Sequence, residues 1–104
     1  MEIEKSQVDK VNNHLKAEEV LQEIGYRIET IHQQGDNIRC FCPIHKETIF
    51  RSLIIDVIHN TYKCGYTLCE GFNGNNLLDL YSRCKGIPLD ESVLYWAKKR
   101  NVTL

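Results

Sequence analysis

Apolar residues in the first third of the chain recur at helical spacing. This periodicity predicts helix over residues 6–24, with a break near Lys16. Ser6 is suited to cap the start of this helix, and Gly25 stands where a helix ends. The apolar positions are Val8, Val11, Leu15, Val20, Leu21 and Ile24.

The middle of the chain changes to short runs that alternate in polarity or are rich in β-branched residues. Turn-forming residues separate these runs, first at 33–37 and again at 59–60. The pattern predicts consecutive short strands joined by tight turns, and such strands pair as an antiparallel sheet. Strands are expected at residues 26–32, 38–42, 51–58 and 61–64.

Helical spacing returns in the last third of the chain. One helix is expected over "NLLDLYSRCK", with Gly86 after its end. Pro88 interrupts the chain, and Asp90 can cap a final helix, "ESVLYWAKKR". The expected buried face of that helix comprises Val93, Leu94, Trp96 and Ala97. The order of elements predicts an α+β fold, with an antiparallel sheet flanked by N-terminal and C-terminal helices.

Length and composition indicate one folded domain, residues 1–104. No apolar run is long enough to cross a membrane, so no membrane partner is expected. The charged N-terminus does not look like a secretory signal, which favours a cytoplasmic location. Five cysteines cannot all pair, and a reducing cytoplasm disfavours a disulfide framework.

Charge is distributed unevenly along a chain whose net charge is −1. Residues 1–36 contain four Lys or Arg and eight Asp or Glu. Residues 37–104 contain nine Lys or Arg and six Asp or Glu. The cysteine-bearing part is therefore mildly basic, which is compatible with a partner that carries phosphates.

Two ligand pairs flank the predicted central hairpin. Cys42 and His45 have two residues between them, Cys64 and Cys69 have four, and eighteen residues separate His45 from Cys64. Each pair fits a tight turn, and the hairpin brings the two turns together. Three thiolates and one imidazole make a closed tetrahedral site, so we expect one structural Zn²⁺ per chain.

The remaining cysteines and histidines lack this spacing. Cys40 shares a strand face with Cys42, so we interpret it as a buried neighbour of the site and as the reserve ligand if Cys69 is not one. Cys84 lies on an apolar helix face and is expected in the core. The histidines without a ligand-spaced neighbour are His14, His32 and His59.

A catalytic zinc site is disfavoured. Residues 45–47 match the His-x-Glu part of zinc nucleobase deaminases. However, Lys63 stands where their proline belongs, the cysteine gap differs, and four protein ligands leave no position for an attacking water. We expect no enzymatic activity of this domain on its own.

The order of motifs resembles the Cys-His-Cys-Cys zinc-binding domain of bacterial DNA primases. The similarity rests on "VLQEIG", "CPIH", "YKC", a loop with two glycines, "NLLDLY" and "KGIPL", and it extends over roughly residues 14–104. Two departures indicate a divergent member. The gap between Cys64 and Cys69 is longer than the usual two residues, and the proline that usually follows the Lys46–Thr48 region is absent.

The resemblance implies a zinc-ribbon-like sheet whose surface contacts single-stranded DNA during replication and priming. In that family a separate domain performs nucleotidyl transfer, so no catalytic residue is assigned here. The implied partners are DNA and a primase, helicase or other replication protein. The other role that zinc ribbons serve, docking on a protein without nucleic acid, remains the alternative.

The expected DNA contacts lie in the strands and metal loops. Tyr66 either covers the metal site or offers its ring to a base, and Tyr62 is expected in the core because it shares a strand face with Cys64. The expected cationic contacts are Arg39, Lys46, Arg51 and Lys63.

Overall fold

A computed structural model describes residues 3–26 and 31–104. The order of elements confirms the α+β prediction, because a five-stranded antiparallel sheet is flanked by helices at both ends of the chain. The elements are α1 (Lys5–Asn12), α2 (Ala17–Ile24), β1 (His32–Gln34), β2 (Asn37–Cys40), β3 (Leu53–Asp56), β4 (Thr61–Cys64), β5 (Asn75–Asn76), α3 (Leu77–Lys85) and α4 (Leu89–Lys99).

The N-terminal segment forms two helices rather than one. α1 ends at Asn12 and α2 begins at Ala17. The break expected near Lys16 is therefore a non-helical connection between two separate helices. Ser6 is not the cap, because α1 begins one residue before it and Glu4 occupies that position. The backbone N–H of Glu4 donates to Gln7 Oε1 at 3.0 Å. Gly25 ends α2 in the left-handed conformation, as expected.

The C-terminal helices differ from the expectation at two positions. Asp90 lies in the first turn of α4, and Pro88 takes the cap position instead. Leu94 is 41% exposed, so it does not belong to the buried face. Val93, Trp96 and Ala97 form that face at positions i, i+3 and i+4, whereas Leu94 lies about 100° further round the helix.

The sheet is a meander in which every neighbouring pair of strands is antiparallel. Cys40 pairs with Leu53, which pairs in turn with Cys64, so β2 and β4 end at the same edge of the sheet, on either side of β3. Tyr62 and Cys64 are both buried on the inner face, which confirms the expected position of Tyr62. The expected strand at 26–32 falls largely on residues outside the described ranges, and His32 begins β1.

The core lies between the inner face of the sheet and the helices. Strand positions alternate between buried and accessible, so one face of the sheet packs inward and the other meets solvent. Trp96 of α4 is fully buried. No helix within the described residues is both long and apolar enough to cross a membrane.

A buried pair of asparagines joins the N-terminal helices to the sheet. Asn12 Nδ2 donates to the Asn60 carbonyl oxygen at 2.9 Å, and Asn60 Nδ2 donates back to the Asn12 and Leu15 carbonyl oxygens at 2.8 Å each. Asn12 Oδ1 also accepts the backbone N–H of Leu77 at 2.9 Å. Because these groups are shielded from water, each lost partner is costly. The pair fixes the turn between β3 and β4 against α1 and α3.

Asn12→Ala is expected to lower the free energy of unfolding by about 1–3 kcal/mol, because it removes two buried hydrogen bonds. Asn13→Ala is the matched control, since Asn13 is exposed, and its effect should stay within about 0.5 kcal/mol. Urea unfolding followed by circular dichroism measures both values. Equal stability of the two variants would contradict the proposed role of the pair.

Candidate metal centre

Four side chains from two loops meet at the end of the sheet. Cys42 and His45 lie in the loop after β2, Cys64 is the last residue of β4, and Cys69 lies in the loop before β5. One ligand atom from each residue lies within 4.8 Å of all the others. The three cysteines are buried and His45 is partly buried. The structure thus brings together the four residues that the spacing indicated.

The distances between these atoms fit a single tetrahedral ion. Cys42 Sγ lies 3.7 Å from Cys69 Sγ, and Cys64 Sγ lies 3.6 Å from His45 Nδ1. A tetrahedron with metal bonds of about 2.3 Å to sulfur and 2.0 Å to nitrogen places two sulfurs roughly 3.8 Å apart and a sulfur and a nitrogen roughly 3.5 Å apart. A disulfide would need about 2.0 Å between sulfurs, and all five cysteines are free. The four residues could therefore hold one metal ion.

Backbone N–H groups surround the sulfur atoms. Such donors favour the charged thiolate, which is the form that binds a metal. Two donors from the first loop point to Cys42, and each of the other two sulfurs accepts one bond of 3.4 Å. The donors are the backbone N–H groups of Ile44 and His45 for Cys42, Tyr66 for Cys64 and Gly71 for Cys69.

Burial acts in the opposite direction on the thiols. Removal from water raises the pKa of Cys42 well above its ordinary value, and it also raises the pKa of Cys69. The N–H donors offset this effect only in part. A bound cation supplies the positive charge that makes buried thiolates favourable, so binding of a metal ion releases protons from this cluster.

The turn around His45 has a strained backbone and a buried ring nitrogen. Lys46 has φ of 54°, and the backbone N–H of Glu47 closes the turn by donating to the Cys42 carbonyl oxygen at 2.9 Å. His45 Nδ1 faces Cys64, whereas its buried Nε2 has no hydrogen-bond partner among the described residues. A carboxylate oxygen of Glu47 lies 3.7 Å from Nε2, where it can orient an imidazole bound through Nδ1.

Two glycines allow the second loop to approach the sheet. A Cβ atom on Gly74, which has φ of 75°, would lie 2.3 Å from the Tyr62 carbonyl oxygen. A Cβ atom on Gly71 would lie 2.8 Å from Ile44 Cδ1 and 3.0 Å from the Tyr62 ring. Glycine is therefore required at position 74, whereas at position 71 a larger residue would need the side chain of Ile44 to move.

Tyr66 contacts the metal site and is also partly exposed. Its ring centroid lies 4.9 Å from that of His45, so it covers one side of the imidazole. The residue is nevertheless 45% exposed, so part of the ring remains accessible to a partner. The contact with His45 agrees with the expected cover over the metal site, and contact with a base stays a prediction.

Cys40 is fully buried on the inner face of the sheet, and burial raises its pKa to about 11. It does not belong to the cluster of four ligands found among the described residues. Its side-chain hydrogen bond is with Tyr26. β2 ends at Cys40, so Cys42 lies in the following loop rather than on the same strand, although both cysteines are buried in the core. Cys84 is partly buried on α3.

The expected DNA-contacting cations are exposed and lie in two places. Arg39 and Lys63 are on the outer face of the sheet, each paired with Ile54 of the strand between them. We call these three residues the outer row. They lie side by side on β2, β3 and β4, one residue on each strand. Lys46 and Arg51 lie in the loop between β2 and β3.

Two apolar residues beside these cations, Ile54 and Phe41, were not singled out from the sequence; both are partly exposed. Ile54 was assigned only to a strand, although its position opposite Arg39 could have been derived from a correct register. Phe41 was not singled out, and the Arg51 guanidinium lies 5.1 Å from its ring centroid. No local pattern indicated that contact, because it depends on the path of the loop.

Neither the scan against protein-family models nor the search of curated proteins gave a match to this chain.

Cys40→Ala is expected to retain about one metal ion per chain, at a cost on the order of 1 kcal/mol for the small cavity. Cys69→Ala should lose tight metal binding, since it removes a member of the cluster. Native mass spectrometry with the metal supplied in slight excess measures the stoichiometry. Loss of the ion from Cys40→Ala together with its retention in Cys69→Ala would reverse the assignment of the fourth ligand.

Proposed function

We propose that this chain is a zinc-stabilised DNA-binding module of the primase type that contacts single-stranded DNA in replication or priming. The observation that carries the proposal is the outer row, in which two exposed cations flank an accessible apolar side chain beside the metal loops. The proposed contacts are Arg39, Lys46, Arg51, Lys63 and Tyr66.

The donor set supports Zn²⁺ as the ion. Three thiolates and one imidazole are soft and borderline ligands, and a mononuclear tetrahedral site of sulfur and nitrogen suits zinc. Four protein ligands complete the tetrahedron without a water, which is the arrangement of structural rather than catalytic sites. In this proposal the ion, held by Cys42, His45, Cys64 and Cys69, joins the two loops, and chemistry is left to a separate primase domain or another replication protein.

The outer row offers both kinds of contact that a single strand needs. Guanidinium and ammonium groups neutralise phosphates, and apolar or aromatic surface packs against bases. Neighbouring strands lie about 4.8 Å apart, so Arg39 and Lys63, two strands apart, are roughly 10 Å apart at their backbones. That separation leaves space for a base over Ile54.

The ring side chains near the metal extend this surface. Tyr66 is partly exposed beside His45. The ring of Phe41 makes a cation–π contact with the Arg51 guanidinium. Stacking on a ring tolerates any base, so these residues support affinity more than sequence preference. A strong preference for one base is not expected from this set of side chains.

Removal of the metal is expected to unfold the chain. Binding of zinc contributes about 10 kcal/mol or more to folding, which is comparable to the whole stability of a domain of this size. Cys64→Ser should therefore be largely unfolded, whereas Cys84→Ser should bind one zinc and fold. Metal analysis and circular dichroism, with and without a chelator, measure both properties. A normally folded Cys64→Ser protein in chelator would refute the structural zinc.

Binding to a short single-stranded oligonucleotide should weaken as salt increases. Arg39→Ala combined with Lys63→Ala should lower the slope of log K against log salt by about 1.4, since each phosphate contact contributes about 0.7. Fluorescence anisotropy at several salt concentrations measures this slope.

The matched control is Lys5→Ala combined with Lys98→Ala, which removes two exposed cations from the helices. This double variant should bind as the parent chain does. If the parent chain shows no binding even at low salt, the DNA function is lost and docking on a protein becomes the better account.

A further inference from the structure

The three most exposed large apolar side chains of the described residues lie in the metal loops. Leu68 is 80% exposed, Ile49 is 74% exposed and Phe50 is 69% exposed. Leu68 directly precedes Cys69, while Ile49 and Phe50 follow His45 within five residues. We call these three residues the apolar tip. A single exposed apolar residue is ordinary on a protein surface, but three in the two metal loops favour a contact with a partner.

Hydrogen bonds hold the loops that carry the apolar tip. The Glu47 carboxylate accepts the backbone N–H groups of Thr48 and Ile49 at 3.0 and 3.4 Å. Gly65 donates its N–H to the Ser52 carbonyl oxygen at 2.8 Å and thereby joins the two loops near their bases. The tip is therefore arranged before any partner binds, and the metal ligands fix its position.

The charges beside the apolar tip favour a negatively charged partner. Lys46 and Arg51 flank Ile49 and Phe50 in the chain, and both are exposed. The one carboxylate in this loop, that of Glu47, bonds to its own backbone and lies close to His45. Glu70, two residues after Leu68, is exposed, and its carboxylate is paired with Arg83 at 3.4 Å. Apolar surface between cations matches a nucleic acid that presents the face of a base beside phosphates.

The shape of the side chains distinguishes among nucleic acids. Ile49 and Leu68 are branched and not planar, so, unlike the ring of Phe50, they cannot stack on a single base. Leu, Ile and Phe are all among the apolar side chains that proteins insert as wedges between stacked bases. The largest exposed base surface in DNA is the terminal pair of a duplex, which remains in place without the protein.

We propose that the preferred ligand is a junction between single-stranded and duplex DNA. The apolar tip covers the terminal base pair, and the outer row, Arg39, Ile54 and Lys63, holds the adjoining single strand. This inference rests on the proposed function and adds to it the class of DNA and the role of the exposed apolar residues.

The test compares three labelled oligonucleotides by fluorescence anisotropy at one low salt concentration: a single strand, a blunt duplex and a duplex with a single-stranded tail. The tailed duplex is expected to bind at least about tenfold more tightly than either of the others, because only it engages both surfaces. The zinc-loaded full chain is used throughout.

The variant Ile49→Ser, Phe50→Ser, Leu68→Ser should bind the tailed duplex no more tightly than the single strand, while its affinity for the single strand is unchanged. Ile58→Ser is the matched control, since Ile58 is 64% exposed in the turn at the opposite end of the β3–β4 hairpin. This control should keep the preference. Zinc content and circular dichroism establish that both variants are folded.

Equal binding of the parent chain to the tailed duplex and the single strand would overturn the junction proposal but leave the DNA function intact. A preference that survives in the triple-serine variant would overturn the role of the apolar tip. An equal loss of affinity for all three oligonucleotides in that variant would make the tip a general DNA contact and would also contradict the proposal. Absence of binding to all three would overturn the DNA function itself.

Discussion

The arrangement of the two metal loops depends on one electrostatic constraint. Three buried thiols and one imidazole lie close enough together to bind a single cation. Burial raises the pKa of Cys42 and Cys69, so their thiolates are unfavourable unless a cation lies among them. The four ligand atoms lie within 4.8 Å of one another, which is close enough for one ion. The two loops contain little regular structure of their own, so an ion bound by these four residues would determine their conformation.

The rest of the fold places these loops and limits their movement. The register of β2, β3 and β4 aligns Cys40, Leu53 and Cys64 at one end of the sheet. At the opposite end of the β3–β4 hairpin, the buried pair of Asn12 and Asn60 joins the turn to the N-terminal helices. The β3–β4 hairpin thus has a packed contact at the turn and the candidate metal ligands at the other end, which fixes the position of the outer face between them.

Much of this arrangement could be predicted from the sequence because its signals are local. Short spacings within each ligand pair, turn residues and the change from helical to alternating periodicity indicated the α+β fold and the residues that meet. The path of the loops could not be predicted in this way. The contact of Tyr66 with His45 and the exposure of Leu68 both depend on the path of the four residues between Cys64 and Cys69. Leu94 was misassigned because hydrophobicity alone does not define where a helix face ends.

X-ray absorption at the zinc edge of the zinc-loaded chain tests the central claim most directly, because it counts and identifies the atoms bound to the ion. The account predicts one zinc with three sulfur ligands at about 2.3 Å and one nitrogen ligand at about 2.0 Å, and no bound water. A first shell with two sulfurs or fewer, or with an oxygen ligand from solvent, would contradict a closed site formed by Cys42, His45, Cys64 and Cys69.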